Sequence, residues 1–159
     1  MNIKNILARG VFLLSLAVVF FACTEERKPI IPMPVTDLSV ENLIPKPLKI
    51  IPTNSAFALD EFTGIYTSKN ATGFEAVGTF LADKLEKKTA LQLPVNDTSL
   101  NKIERVIYIN QSDSTELKST EAYQLYINQD SIIINANTAE GAFRGIQTLR
   151  QLVPETSND

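Results

Sequence analysis

The 159-residue chain contains no histidine, no tryptophan and a single cysteine. Without histidine there is no Ser-His-Asp triad, no Cys-His dyad and no His-ligated metal site. Without tryptophan, a sugar-stacking platform built within the chain is a weaker proposition. One cysteine leaves no internal disulfide. A basic surplus is missing too: 15 Lys and Arg stand against 18 Asp and Glu, a formal charge of −3. Phosphate neutralisation is therefore not expected, and neither is a nucleic-acid partner. No phosphate loop, CxxC or GxGxxG occurs, and no cofactor site is expected. What is present is 44% apolar and 21% charged residues, enough for a globular core, in a length that fits one domain with a tail.

The chain opens with Lys4 and Arg9 and no acid in its first ten residues, followed over residues 11–22 by VFLLSLAVVFFA. A basic start and an apolar run of about a dozen residues have the geometry of a secretory signal. A spanning helix needs about 20 such residues. The run ends in Phe20-Phe21-Ala22-Cys23, and a small residue directly before the lone cysteine resembles a bacterial lipobox. That resemblance implies a signal peptide over 1–22, lipidation of Cys23 and anchoring in the bacterial cell envelope to the outer membrane, on its periplasmic or its surface face. An ordinary signal peptide or an uncleaved anchor are the plainer readings. From Cys23 onward the chain carries 13 basic and 18 acidic residues, net −5. Glu25-Glu26 resembles acidic signals that send some lipoproteins to the cell surface; a solvated linker is the alternative.

Six prolines, Pro29, Pro32, Pro34, Pro45, Pro47 and Pro52, keep residues 29–52 extended. Residues 23–41 read as a lipidated tether. Leu43, Ile44, Ile50 and Ile51 are too apolar for a free linker, so the domain is expected over 42–154, with a polar tail over 155–159. Short strands are expected at 57–59 and 64–67. Thr72 and Glu75 fit a capping box. After it, Phe74, Val77, Leu81 and Leu85 recur at helical spacing, which predicts a helix over 72–88 with basic residues in its last turn. Further strands are expected at 91–95, 105–109, 123–128 and 131–136. The last two form a hairpin around Asn128-Gln129-Asp130, and a polar loop covers 111–120. Thr138 caps a second helix, with Ala142, Ile146, Leu149 and Val153 on one stripe and Pro154 ending it. The expected fold is α+β: a mixed sheet with two helices packed on one face.

Paired carboxylates are the remaining route to acid–base chemistry. Asp60-Glu61 is the one adjacent Asp-Glu pair, and neighbours on a strand point to opposite faces. A catalytic role for it is not expected. Asp113 and Glu116 lie in a loop that lacks the acidic count and glycine of a calcium site. Tyr66, Tyr108, Tyr123 and Tyr126 all fall in strands and read as sheet packing rather than sugar contacts. Arg144 reads as a helix residue whose stem covers apolar surface. Asn70, Asn96 and Asn110 begin Asn-x-Ser/Thr triplets and read as turn and cap residues. No catalytic, cofactor-binding or metal-binding residue is assigned; Cys23 is the one modification site.

The last third of the chain carries Glu121-Ala122-Tyr123-Gln124-Leu125, the hairpin, and then Gly141, Phe143, Gly145, Gln147, Thr148, Leu149, Gln151 and Leu152. This pattern resembles the N-terminal accessory domain of family 20 glycoside hydrolases, the β-N-acetylhexosaminidases. Ile44-Pro45-Lys46-Pro47 resembles that domain's opening motif, and the likeness covers about residues 42–153. Gly145 reads as a point of close approach to the sheet or a neighbouring domain, and polar Gln147-Thr148 as a second surface to meet.

The resemblance implies that the chemistry belongs to a following (β/α)8 barrel, which takes about 250 residues. There an Asp-Glu pair works with the substrate's own acetamido group. Asp60-Glu61 precedes the matched helix and is not that pair, so no catalytic residue is carried over. The expected function is that of a non-catalytic domain of a lipid-anchored β-N-acetylhexosaminidase, present as a truncated chain. The alternatives are a stand-alone surface lipoprotein that binds glycan or protein, and an accessory domain of another glycosidase family.

Overall fold

The computed structural model describes residues 37–38, 42–96 and 105–154. The signal, Cys23, nearly all of the tether, Asp97 and the tail lie outside the described residues. The described elements are β1 (Gly64–Thr67), α1 (Phe74–Thr89), β2 (Val95–Asn96), β3 (Val106–Gln111), β4 (Tyr123–Ile127), β5 (Ser131–Ala136) and α2 (Ala139–Leu152). The strands form one sheet in the order β2-β1-β3-β5-β4. All neighbours are parallel except β4 and β5, which form the antiparallel hairpin. The fold is α+β with a mixed sheet, as the sequence implies.

The register shows why both helices share one face. Ile65, Ile107, Ile132 and Ile127 are cross-strand partners, and so are Thr67, Ile109, Ile134 and Leu125. These rows face α1 and α2. On α1 the stripe Phe74, Val77, Leu81 and Leu85 is buried against them; on α2 it is Ala142, Ile146 and Leu149. Each fully buried large side chain contributes about 1.5–3 kcal/mol by removal of apolar surface from water. Gly145 lets α2 lie directly on the sheet, since a Cβ there would sit 2.6 Å from Ile134 Cγ2 and 3.2 Å from Tyr123 Cδ2.

Some local expectations are corrected. Residues 57–59 form no strand; Phe57 and Leu59 instead pack as coil against the core. The strand expected at 91–95 shortens to Val95–Asn96, because Pro94 has no amide to donate and offers only its carbonyl, to Ile65 N–H at 2.9 Å. Thr72 does not cap α1. Gly73 takes the N-cap at φ 83 with no side-chain hydrogen bond, and the entering turn satisfies its amides through backbone carbonyls: Phe74 N–H donates to Ala71 O at 3.2 Å. Thr138 does cap α2, its Oγ1 accepting from Gly141 N–H at 3.2 Å. Asn128 Oδ1 closes the hairpin turn by accepting from Asp130 and Ser131 N–H, each at 2.8 Å.

Candidate functional site

Asp60 and Glu61 occupy the turn before β1. Asp60 Oδ1 accepts from Phe62 N–H at 3.0 Å and from the hydroxyl of buried Thr63 at 3.2 Å. Its other oxygen forms an ion pair with Arg105. Arg105 is held at φ 57, a region that favours glycine, by this pair and by a 2.6 Å bond from its N–H to Asp130 O. Asp60 is thus committed to joining the starts of β1 and β3. Glu61 is exposed. The two carboxylates do not work on a common cleft. Asp113 and Glu116 stay in the loop, where Glu116 accepts from Gln124 Nε2 at 3.0 Å. Among the described residues, no three His, Cys, Asp or Glu side chains gather in a metal-binding arrangement.

The outer side of the helices presents a groove between the opening segment and α2, with Ile44 and Pro45 on one wall and Phe143, Arg144, Gln147 and Gln151 on the other. Gln151 fastens the two: its Oε1 accepts from Ile44 N–H at 3.0 Å and its Nε2 donates to Ile44 O at 2.9 Å. Arg144 does more than cover apolar surface. It pairs with Glu121 at 2.8 Å, and that carboxylate raises the guanidinium above its ordinary value. Phe143 meets Phe80 of α1 at 5.3 Å between ring centroids, while Lys84 and Arg150 lie 5.0 and 5.8 Å from the Phe80 centroid.

The aliphatic opening segment is not absorbed into the core. Ile44, Leu48 and Ile51 are 77%, 106% and 68% exposed. The expectation that Gln147 and Thr148 together face a second surface is half right. Gln147 lines the groove, but Thr148 is buried and its hydroxyl shares a 2.6 Å hydrogen bond with that of Tyr123. Asn70 is a turn residue at φ 61. Asn96 and Asn110 are strand residues instead, the Asn110 amide accepting from Ser68 Oγ and donating to Asn135 Oδ1.

Residues 40–159 match the family model described as glycosyl hydrolase family 20, domain 2. The chain belongs to glycosyl hydrolase family 20. It is 33% identical over 141 residues to a β-hexosaminidase of Porphyromonas gingivalis, covering 87% of this chain and 17% of that protein. Over 60 residues it is 45% identical to β-hexosaminidase subunit A2 of Dictyostelium discoideum, covering 37% of this chain and 11% of that one. Among solved structures, it matches the family 20 β-N-acetylhexosaminidase of Streptomyces coelicolor with a TM-score of 0.62 and 29% identity, over 70% of this chain and 21% of that one. A β-hexosaminidase of Streptomyces plicatus matches with the same TM-score and 28% identity, over 79% and 23%. The chain therefore spans between about a tenth and a quarter of the length of these family 20 relatives.

Proposed function

We propose that this family 20 chain is the non-catalytic domain of a lipid-anchored β-N-acetylhexosaminidase. Its role is to pack against, and hold in place, a separate (β/α)8 barrel that removes terminal β-linked N-acetylhexosamine from glycans. The observation that carries this reading is the family match over 40–159, together with the commitment of Asp60 to Arg105 and Thr63. The exposed aliphatic side chains of the opening segment, Ile44 in the α2 groove and Leu48 and Ile51 beyond it, support it, since exposed apolar surface on a domain edge marks a contact surface. Cys23, following the apolar run and Ala22, would carry the lipid and tie the protein to the bacterial cell envelope through the tether.

Two experiments test it. A purified family barrel supplied in trans should bind the chain, and Leu48→Asp should weaken that binding at least fivefold without changing the chain's thermal midpoint. Equal binding by Leu48→Asp counts against docking at this patch. Metabolic labelling with a radioactive fatty acid should mark the chain in a bacterial host and be lost in Cys23→Ser; label retained in that variant contradicts the anchor.

A further inference from the structure

Both helices pack on one face of the sheet; among the described residues no helix packs on the other, where Val106 and Ser131 are buried at one end and Tyr126 is exposed. The side chains of that face follow from the register. Asn96, Tyr66, Tyr108, Ile133 and Tyr126 are successive cross-strand partners, so one row crosses all five strands and holds three of the four tyrosines. At about 4.8 Å per strand, Tyr66 to Tyr126 spans about 14 Å, the length of a short oligomer. A second row, Asn110, Asn135 and Gln124, runs beside the first.

The rings and amides are set in place. Tyr66 folds back along its own strand over Gly64, where a Cβ would meet Tyr66 Cε2 at 2.8 Å. The half-buried ring thus occupies the space above Gly64 that a side chain at position 64 would fill. Tyr108 leans the other way, its hydroxyl 3.5 Å from Ser68 Oγ. Ser68 Oγ donates to Asn110 Oδ1 at 3.0 Å, and Asn110 Nδ2 donates to Asn135 Oδ1 at 2.9 Å. Among the described residues the Asn135 amide donors and the Gln124 carbonyl have no partner and are left for an outside group.

No strand position on this face carries a charge, in a chain that is 21% charged; the one carboxylate bonded to its side chains is that of Glu116, from the neighbouring loop, which accepts from Gln124 Nε2. The lack of Lys and Arg disfavours nucleic acid and acidic glycans. With Ile133 the one aliphatic side chain in its central row, the face is poor in what a protein partner's apolar core needs. A row of aromatic rings, Tyr126 exposed and Tyr66 and Tyr108 half-buried, beside neutral amide groups suits a ligand that is apolar on its ring faces and polar at its edges.

We propose that this face binds an uncharged oligosaccharide, its sugar rings against Tyr66, Tyr108 and Tyr126 and its polar edge groups bonded to Asn135 and Gln124. An open face without walls gives weak binding, with a Kd of about 1 mM or somewhat tighter. The site is separate from the α2 groove and does not depend on which domain docks there.

The chain's lack of tryptophan makes the test direct, because intrinsic fluorescence comes from its tyrosines. Titration with triacetylchitotriose and with cellotriose should give a saturable change with at least one of them. Tyr126→Ala, at a site already 48% exposed, should weaken binding at least fivefold with an unchanged thermal midpoint. Tyr123→Phe, on the helix side, should leave affinity as it is. No saturable change at about tenfold the expected Kd with either sugar overturns the proposal, as does unaltered affinity in Tyr126→Ala. Self-association of the chain that Tyr126→Ala abolishes, without sugar binding, would assign the face to a second copy instead.

Discussion

Gln151 holds both backbone polar groups of Ile44, 107 residues away in sequence, its carboxamide oxygen accepting from the N–H and its amide donating to the carbonyl. Two segments of the family resemblance, the opening Ile-Pro-x-Pro and the closing Gln of α2, thereby meet at one point. Each hydrogen bond is exposed, so each contributes about 0.5–1.5 kcal/mol. Gln151→Ala should lower stability by about 1–2 kcal/mol and release the opening segment. Hydrogen exchange at the Ile44 amide checks this: protection should drop sharply there and change little in β3.

Gly145→Ala tests the seat of α2 on the sheet. Alanine is the better helix former by about 1 kcal/mol. The added methyl, however, would lie 2.6 Å from Ile134 Cγ2, a fully buried β-branched side chain with little room to turn. Overpacking of this kind costs about 1–3 kcal/mol and should win. Chemical denaturation should show a lower midpoint with an unchanged m-value.

Thr67→Val should move stability the other way. Thr67 is 1% exposed, and its Oγ1 has no hydrogen-bond partner among the described residues. Valine keeps the shape and removes a buried hydroxyl whose desolvation is uncompensated, so a gain of about 1 kcal/mol is expected. A raised thermal midpoint is the readout.

Acid should act on Asp83 later than on an ordinary carboxylate. Hydrogen bonds from Lys87 and then Lys84 hold its carboxyl below the usual range. Because the folded value is depressed, the pairing contribution is present above the unfolded value. It is lost as pH falls through the folded one. NMR titration should find the Asp83 midpoint low, and Lys87→Ala should move it upward. Both groups face solvent, so global stability should change little.

Much of this fold is legible in the sequence because the signals are local. The stripe Phe74, Val77, Leu81 and Leu85 specifies α1, Thr138 specifies where α2 starts, and Asn128 specifies the hairpin turn. Longer-range partnerships leave no such trace. Nothing near Asp60 announces Arg105, 45 residues on, and nothing near Gln151 announces Ile44. The capping box at Thr72 and Glu75 was a valid local pattern. It loses to Gly73, because the turn from β1 into α1 needs a left-handed residue at the N-cap. The tyrosine row is hidden for the same reason. It exists only once the parallel register sets Tyr66 beside Tyr108 and the hairpin brings Tyr126 round to Ile133.

Of the one adjacent Asp-Glu pair, Asp60 is bound to Thr63 and Arg105 and Glu61 faces solvent, which fits the proposal that the chemistry of the family lies in another domain. The most direct test is release of chromophore from an aryl N-acetyl-β-glucosaminide by the chain alone, beside its Asp60→Asn and Glu61→Gln variants. No release above the enzyme-free blank is expected for any of the three, with Asp60→Asn lowering the thermal midpoint through loss of the Arg105 pairing. Turnover by the chain that either substitution abolishes would contradict it.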